Sequence, residues 1–219
     1  MTLTVKNLTH SFGHPDDALY KDVNMEFKPS TLYSIVGESG SGKTTFLSFI
    51  AGLDVPNSGD VEFDGKPIQK IGLVNYRKHD VAIVFQAYNL LNYMTALENV
   101  LSALSITESK HKGDKEYALQ LLERVGIDKT LATKNVQKLS GGQQQRVAVV
   151  RALAVDAPVI LADEPTGNLD SETSKGIISL FQEIAHKDDK TVIIVTHDDN
   201  VAAAADVKIR LADREFEIA

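Results

Sequence analysis

The segment GESGSGKT, residues 37–44, fits the pattern G-x-x-x-x-G-K-[ST]. Its glycines let successive backbone N–H groups turn inward without Cβ clashes and surround phosphate oxygens. A helix that opens where such a loop ends presents its first N–H groups to the same anion. Lys43 is then suited to the β- and γ-phosphates of a nucleotide and Thr44 to a Mg2+ ion. The competing reading is a glycine-rich strand-to-helix turn that binds nothing. Average composition makes a chance match on the order of one in a hundred for such a chain, and the strand-loop-helix context lowers it further. The loop therefore speaks for a nucleoside triphosphate, but it is silent on what hydrolysis achieves.

Two further segments narrow the chemistry. VILADEP, residues 159–165, sets Asp163 and Glu164 at the end of an apolar strand. Asp163 is suited to hold Mg2+ through water, and Glu164 to orient or deprotonate an attacking water. The alternative is that these acids merely cap the next helix. A phosphate loop upstream favours the catalytic reading, and adjacent acids suit attack by water better than transfer to a second substrate. LSGGQQQR, residues 139–146, opens a helix after Ser140, Gly141 and Gly142. That is a second helix start able to bind an anion, or else a flexible Ser-Gly-Gly connector. One bound nucleotide has no obvious use for two cradles. A head-to-tail dimer with twofold symmetry solves this, each nucleotide lying between one copy's phosphate loop and the other copy's second cradle.

The elements that must position these residues alternate along the chain. Short apolar runs predict strands over 3–5, 23–27, 32–36, 61–63, 81–85, 159–162, 192–195 and 207–211. Longer amphipathic segments lie between them, which points to an α/β fold. VILA and VIIV are apolar throughout, as central parallel strands covered on both faces are. NSGDVEFDGKPI, broken by Asp-Gly, predicts a hairpin at a sheet margin. Residues 88–154 read as mostly helical. Thr95 and Glu98 have capping-box spacing, and Tyr117, Ala118, Leu121, Leu122 and Val125 share one helical face that ends at Gly126.

Composition bounds the class. The chain has 219 residues, 43% of them hydrophobic, enough for one large domain with a real core. A net charge of -7 argues against a partner held by phosphate neutralisation, so no nucleic acid is expected. There are no cysteines, which excludes disulfides and thiolate metal sites and suits the reducing cytosol. MTLTVKNLTH lacks the apolar core of a secretory signal, and no run approaches the roughly 20 apolar residues that span a bilayer. If the protein works at a membrane, another chain supplies the spanning part.

Taken in order, GESGSGKT, Gln86 in VFQ, LSGGQQQR, VILADEP, GNLD (167–170) and His197 in VTHD resemble the Walker A loop, Q-loop, signature, Walker B, D-loop and H-loop of ATP-binding cassette (ABC) ATPases. The resemblance covers nearly the whole chain. It implies a P-loop NTPase (RecA-like) core over 1–86 and 155–219, with an antiparallel β subdomain and a helical subdomain inserted at about 87–154. It implies ATP and Mg2+ as ligands. Gly37, Ser39, Gly40, Ser41, Gly42, Lys43, Thr44 and Thr45 would hold the nucleotide, and Thr44, Gln86 and Asp163 the metal. Glu164, His197, Lys43 and Gln86 would act in catalysis. Ser140, Gly141, Gly142 and Gln143 would meet the nucleotide of a second copy, and Asp170 would couple the two sites. Phe12, in THSFG, matches the aromatic that stacks on adenine, where the family more often has Tyr; the alternative is a Phe packed under the first hairpin. Stacking separates bases poorly, so ATP over GTP rests on the resemblance. His10 and His14 are four apart, but Gly13 and Pro15 interrupt any helix that would align them as metal ligands.

TALENV, LSGGQQQR and PTGNLD are similar to one branch of that family. Its members pair with permeases of the macrolide-exporter and lipoprotein-release type, and its relatives serve cell division and antimicrobial-peptide or haem systems. This implies an ATPase subunit, a homodimer when closed on ATP, that drives an integral permease from the cytoplasmic face of the membrane. The segment AYNLLNYM, residues 87–94, is the expected receiving surface, with ordinary core packing as the alternative. A soluble ABC ATPase acting on DNA or ribosomes is the competing class. Against it, residues 44–139 hold no long coiled coil and the chain carries one cassette. Departures from the family pattern are NVQKLSGG, where a Pro is common shortly before the signature, Lys208 where Arg is frequent, and LADREFEIA without a glycine turn or a regulatory extension.

Overall fold

A computed structural model describes residues 1–13, 18–107 and 109–218. Strands β1 (Leu3–His10), β2 (Tyr20–Phe27) and β3 (Thr31–Val36) lead into helix α1 (Lys43–Ile50). Strands β4 (Ser58–Phe63) and β5 (Lys66–Pro67) are followed by the short helices α2 (Ile68–Ile71) and α3 (Leu73–His79), then by β6 (Val81–Phe85). Four helices come next: α4 (Ala96–Ile106), α5 (Lys115–Arg124), α6 (Lys129–Ala132) and α7 (Gly141–Ala154). The chain continues through β7 (Val159–Asp163), α8 (Ser171–Lys187), β8 (Thr191–Thr196), α9 (Asp199–Ala203), β9 (Val207–Ala212) and β10 (Glu215–Ile218).

The strands form two sheets. One is antiparallel, ordered β2-β1-β4-β5; the other is ordered β10-β9-β3-β8-β7-β6, parallel except for β10 at its edge. All six residues of β8 are buried, and alternate ones face opposite cores. Val192 and Ile194 join the helices α4, α5, α7 and α8, whereas Ile193 and Val195 join α1 and the antiparallel sheet. Strand β7 divides the same way, Ile160 and Ala162 against Val159 and Leu161. Because side chains alternate with a period of two, a one-residue slip would exchange the two cores, so the register is firmly set. Helix α1 is anchored by Phe46, Phe49 and Ile50, each fully buried in the second core. This anchoring places its first turn at the ends of β3, β7 and β8.

All eight expected strands are present, several of them longer than expected. The Asp64–Gly65 turn, with φ of 47° and 74°, closes the β4–β5 hairpin at the sheet margin. The Thr95–Glu98 capping box forms, with both reciprocal hydrogen bonds present. Helix α5 turns Ala118 and Leu122 into the core, and Gly126 follows it at φ 79°. Two features differ from expectation. LADREFEIA makes a hairpin and a tenth strand without glycine, because Asp213 and Arg214 take left-handed backbone at φ 50° and 70°. The segment after the β4–β5 hairpin forms α2 and α3, of which only Ile68 and Tyr76 are buried, so no apolar periodicity marks them. Among the described residues no helix is long and apolar enough to cross a membrane.

Candidate nucleotide site

The phosphate loop joins β3 to α1. Gly42 takes φ 104°, and no side chain caps the helix, so the N–H groups of its first turn are left for an anion. Lys43 is 7% exposed, and its Nζ donates to the carbonyls of Gly37 and Glu38 at 2.8 Å each. The loop also leans on the last parallel strand. A Cβ at Gly37 would lie 2.4 Å from the Leu211 carbonyl oxygen, so only glycine fits there.

Strand β7 delivers the two acids. The Thr44 hydroxyl donates to Asp163 Oδ1 at 3.3 Å. Burial pushes the Asp163 carboxyl up from its ordinary value; the Thr44 bond and the Lys43 charge oppose this, and the neighbouring Glu164 adds to it. Glu164 sits at φ 46° and donates its N–H to the Val195 carbonyl at 2.9 Å. Its side chain accepts from the Thr196 hydroxyl at 3.2 Å and meets His197 Nδ1 at 2.8 Å. Gln86 follows β6 directly. Its Nε2 reaches Asn168 Oδ1 at 3.5 Å, and Asn168 Nδ2 donates back to the Gln86 carbonyl at 3.2 Å. A Cβ on Gly167 would come within 2.8 Å of Gln86 Nε2, so a larger residue there would push the Gln86 amide aside.

One cleft of about 380 Å³ gathers Phe12, Ser39, Gly40, Gly42, Lys43, Thr44, Thr45, Gln86, Glu164 and His197. Asp163 stands behind Thr44, and Gly37 and Ser41 border an adjoining cleft with His197, Lys208 and Arg210. Phe12 is 76% exposed, so it is not packed under the hairpin. His10 lies buried behind it, and His14 falls outside the described residues. No group of three or more His, Cys, Asp or Glu among the described residues is placed to hold a metal by itself.

The second cradle and Asp170 do not line this cleft. Ser140 caps α7 and accepts from Gln143 N at 3.3 Å, while Gln143 Oε1 accepts from Ser140 N at 3.0 Å. A Cβ at Gly141 would lie 3.0 Å from the Tyr88 hydroxyl, and one at Gly142 would lie 2.3 Å from Thr173 Cγ2. Gly142 is therefore required by packing as well, whereas a side chain at Gly141 would need only a shift of the Tyr88 hydroxyl. Asp170 caps α8 and accepts from Glu172 N, Thr173 N and Thr173 Oγ1. The Thr173 hydroxyl above all, then these backbone donors, hold its carboxyl below its ordinary value. Thr196, Asn168 and Thr173 were not singled out by sequence. Asn168 and Thr196 lie inside or beside quoted motifs, but Thr173 is marked by nothing except its contact.

A separate apolar groove of about 390 Å³ runs between Ala82, Ile83, Leu91, Ala103, Ile106 and Ala152. Ile106 is 73% exposed, and so is Tyr93, at 77%, in the segment expected to receive a partner.

Residues 20–167 match the sequence profile of the family described as ABC transporter. The chain is 51% identical over 216 residues to the ABC transporter ATP-binding protein YclH of Bacillus subtilis, covering 99% of this chain and 96% of that one. It is 38% identical over 226 residues to the lipoprotein-releasing system ATP-binding protein LolD of Francisella tularensis, covering 100% and 96%. Its fold is similar to the dimeric cassette MJ0796, from Methanocaldococcus jannaschii, with TM-score 0.85 at 37% identity over 99% of this chain and 98% of that one. The post-hydrolysis dimer of MJ0796 bound to ADP and Pi gives TM-score 0.84 at the same identity and coverage. The chain belongs to the ABC transporter family, as its ATP-binding, ATP-hydrolysing subunit.

Proposed function

We propose that Glu164 is the base of this ATPase and that each active site is completed by the Ser140–Gln143 helix start of a second copy. The observation that carries this is the fixed Glu164 carboxylate, held by Thr196 and His197 at the mouth of the cleft that contains the phosphate loop. Lys43 and the free N–H groups of α1 bind the phosphates. Gln86 and Glu164 face the end of the cleft where water attacks, and His197 steadies the carboxylate. Ser140 and Asp170 serve the partner copy, since neither lines the cleft of its own chain.

The donors present suit Mg2+. Thr44 Oγ1 and Asp163 Oδ1 are hard oxygens 3.3 Å apart, and a partly buried carboxylate with a raised pKa gains from a nearby cation. Mg2+ is held in such sites by one or two protein oxygens together with substrate phosphates and water, and Thr44 and Asp163 would supply the protein's share. When bound, Mg2+ would neutralise charge developing on those oxygens.

The protein drives a membrane permease supplied by another chain. The likeness to LolD favours an export or mechanotransmission system of the macrolide, lipoprotein, peptide or haem type, with this subunit peripheral on the cytoplasmic face. Residues 87–154 act as the helical subdomain inserted between 1–86 and 155–219, since α4 and α5 pack on α7. The apolar groove beside Leu91 and Ile106 receives the permease.

Ser140→Arg tests the composite site. ATP binding to the isolated chain should persist, while hydrolysis and its steep dependence on protein concentration should be lost. Normal turnover by this variant would sink the shared-site reading.

A further inference from the structure

We propose that His10 is a positioning residue for the nucleotide's base: it fixes the ring of Phe12 and ties that ring to helix α1. The inference rests on the reading of Phe12 as the platform for adenine.

His10 ends β1 and is 8% exposed. Its imidazole meets Phe12 at a centroid distance of 4.8 Å and an interplanar angle of 88°. On another side it meets Phe49 at 4.8 Å and 60°. Phe49 is fully buried on α1, the helix that begins at the phosphate loop. His10 is therefore a direct physical link between the element that positions the phosphates and the ring that would meet the base.

The backbone around it is pinned. The His10 carbonyl accepts from Leu19 N at 2.7 Å, and Ser11 N donates to Asn57 Oδ1 at 2.6 Å. Phe12 itself is 76% exposed, and its one ring contact among the described residues is with His10. An exposed two-torsion side chain with no such contact would have to be ordered when the base binds, which lowers affinity. A perpendicular aromatic contact sets orientation, because ring quadrupoles favour edge-to-face geometry.

Neither ring nitrogen of His10 has a hydrogen-bond partner among the described residues. Leaving a buried polar group unpaired is costly, and an aliphatic side chain would fill the same space without that cost. What an aliphatic side chain lacks is an aromatic ring for the angled contacts with Phe12 and Phe49. The ring contacts with Phe12 and Phe49 give the buried histidine a role that needs no hydrogen bond.

The test uses the full chain and four variants: H10L, H10F, F12A and the double variant H10L/F12A. Both replacements at position 10 fill the pocket, but only Phe keeps a ring. ATP KM and kcat are measured together with inhibition by tripolyphosphate, which has phosphates and no base. Circular dichroism melts confirm folding. H10L should raise KM for ATP about threefold to tenfold, the cost of ordering one side chain. Its kcat should stay within about twofold of wild type, since base binding is shared by ground and transition states. Tripolyphosphate inhibition should not change, H10F should restore KM, and H10L should add nothing in the F12A background. If F12A raises KM and H10L does not, this inference is overturned and the Phe12 reading stands. If F12A leaves KM unchanged, the Phe12 reading falls and takes this one with it. If H10L weakens tripolyphosphate as much as ATP, His10 shapes the phosphate loop and the assignment to the base is wrong.

Discussion

The Nδ1 atom of His197 stands 2.8 Å from Oε1 of Glu164, and Thr196, one residue earlier, donates its hydroxyl to the other carboxylate oxygen at 3.2 Å. Two consecutive residues at the end of β8 thus hold both oxygens of one acid at the end of β7. The backbone of Glu164 is also constrained. Its φ of 46° costs about 1 kcal/mol or more for a residue with a Cβ. The N–H bond to Val195 is part of what retains it. A carboxylate held this way keeps its direction before any water arrives.

Glu164→Gln preserves the size of that side chain but removes its capacity to take a proton. Hydrolysis should fall by about 10² to 10⁴. ATP binding should survive, and size-exclusion chromatography in ATP should show a persistent dimer. Turnover near that of wild type would remove Glu164 from the base role.

Asp163 makes stability depend on pH. Burial raises its folded pKa, so the folded chain holds the proton more tightly than the unfolded chain does. The penalty from ionising Asp163 is therefore fully present above the folded pKa and fades as pH falls through it. Asp163→Asn keeps an acceptor for Thr44 and removes the charge. In the absence of nucleotide it should raise Tm at neutral pH, with a gain that shrinks as the pH falls through the raised folded pKa of Asp163 towards the ordinary carboxylate value. A gain that is constant with pH would mean that the acid is not the cause. The same variant should lose Mg2+-dependent hydrolysis.

Lys43 is the cation the loop folds around, with two carbonyls of the same loop as its present acceptors. Lys43→Ala should lower ATP affinity about 10- to 100-fold, the range for a lost charge-assisted contact. Titration with a fluorescent nucleotide measures this directly, and an unchanged affinity would count against the phosphate-loop assignment.

Gly142 touches α8 where Thr173 leaves no room for a Cβ. Gly142→Ala should destabilise the fold by about 1–3 kcal/mol, as overpacking does. Thr173→Ser should relieve it, because serine drops Cγ2 yet keeps the hydroxyl that bonds Asp170 Oδ2 at 2.7 Å. Thermal melts of the single and double variants decide the matter. A double variant as unstable as Gly142→Ala would show that this contact is not responsible.

Part of this architecture is legible in the sequence alone. VILA and VIIV announce central strands because both faces must be apolar, and GESGSGKT announces a phosphate loop because its backbone demands glycine. Strand β10 was not legible. Its turn is made by Asp213 and Arg214 in a backbone region where glycine or asparagine is the usual signal. Helix α3 buries only Tyr76 and so carries no periodic pattern. At the site, motif residues were readable one by one, but their supports were not. Gln86 and Asn168 are 82 positions apart, and Glu164 and Thr196 are 32 apart. Such partners are chosen by how the sheet aligns its strand ends, which no local pattern encodes.

The Leu211 carbonyl against Gly37 has a consequence for how the protein is made. The loop that carries Lys43 leaves the ribosome long before the strand on which it rests. A nascent chain that has not yet produced β9 owns every residue of GESGSGKT but lacks the surface against which Gly37 packs. Pairing of β3 with β9 is a contact between distant parts of the chain, and such contacts form late. Any binding energy that ATP supplies to the loop shaped by β9 favours the completed fold over precursors that lack that strand.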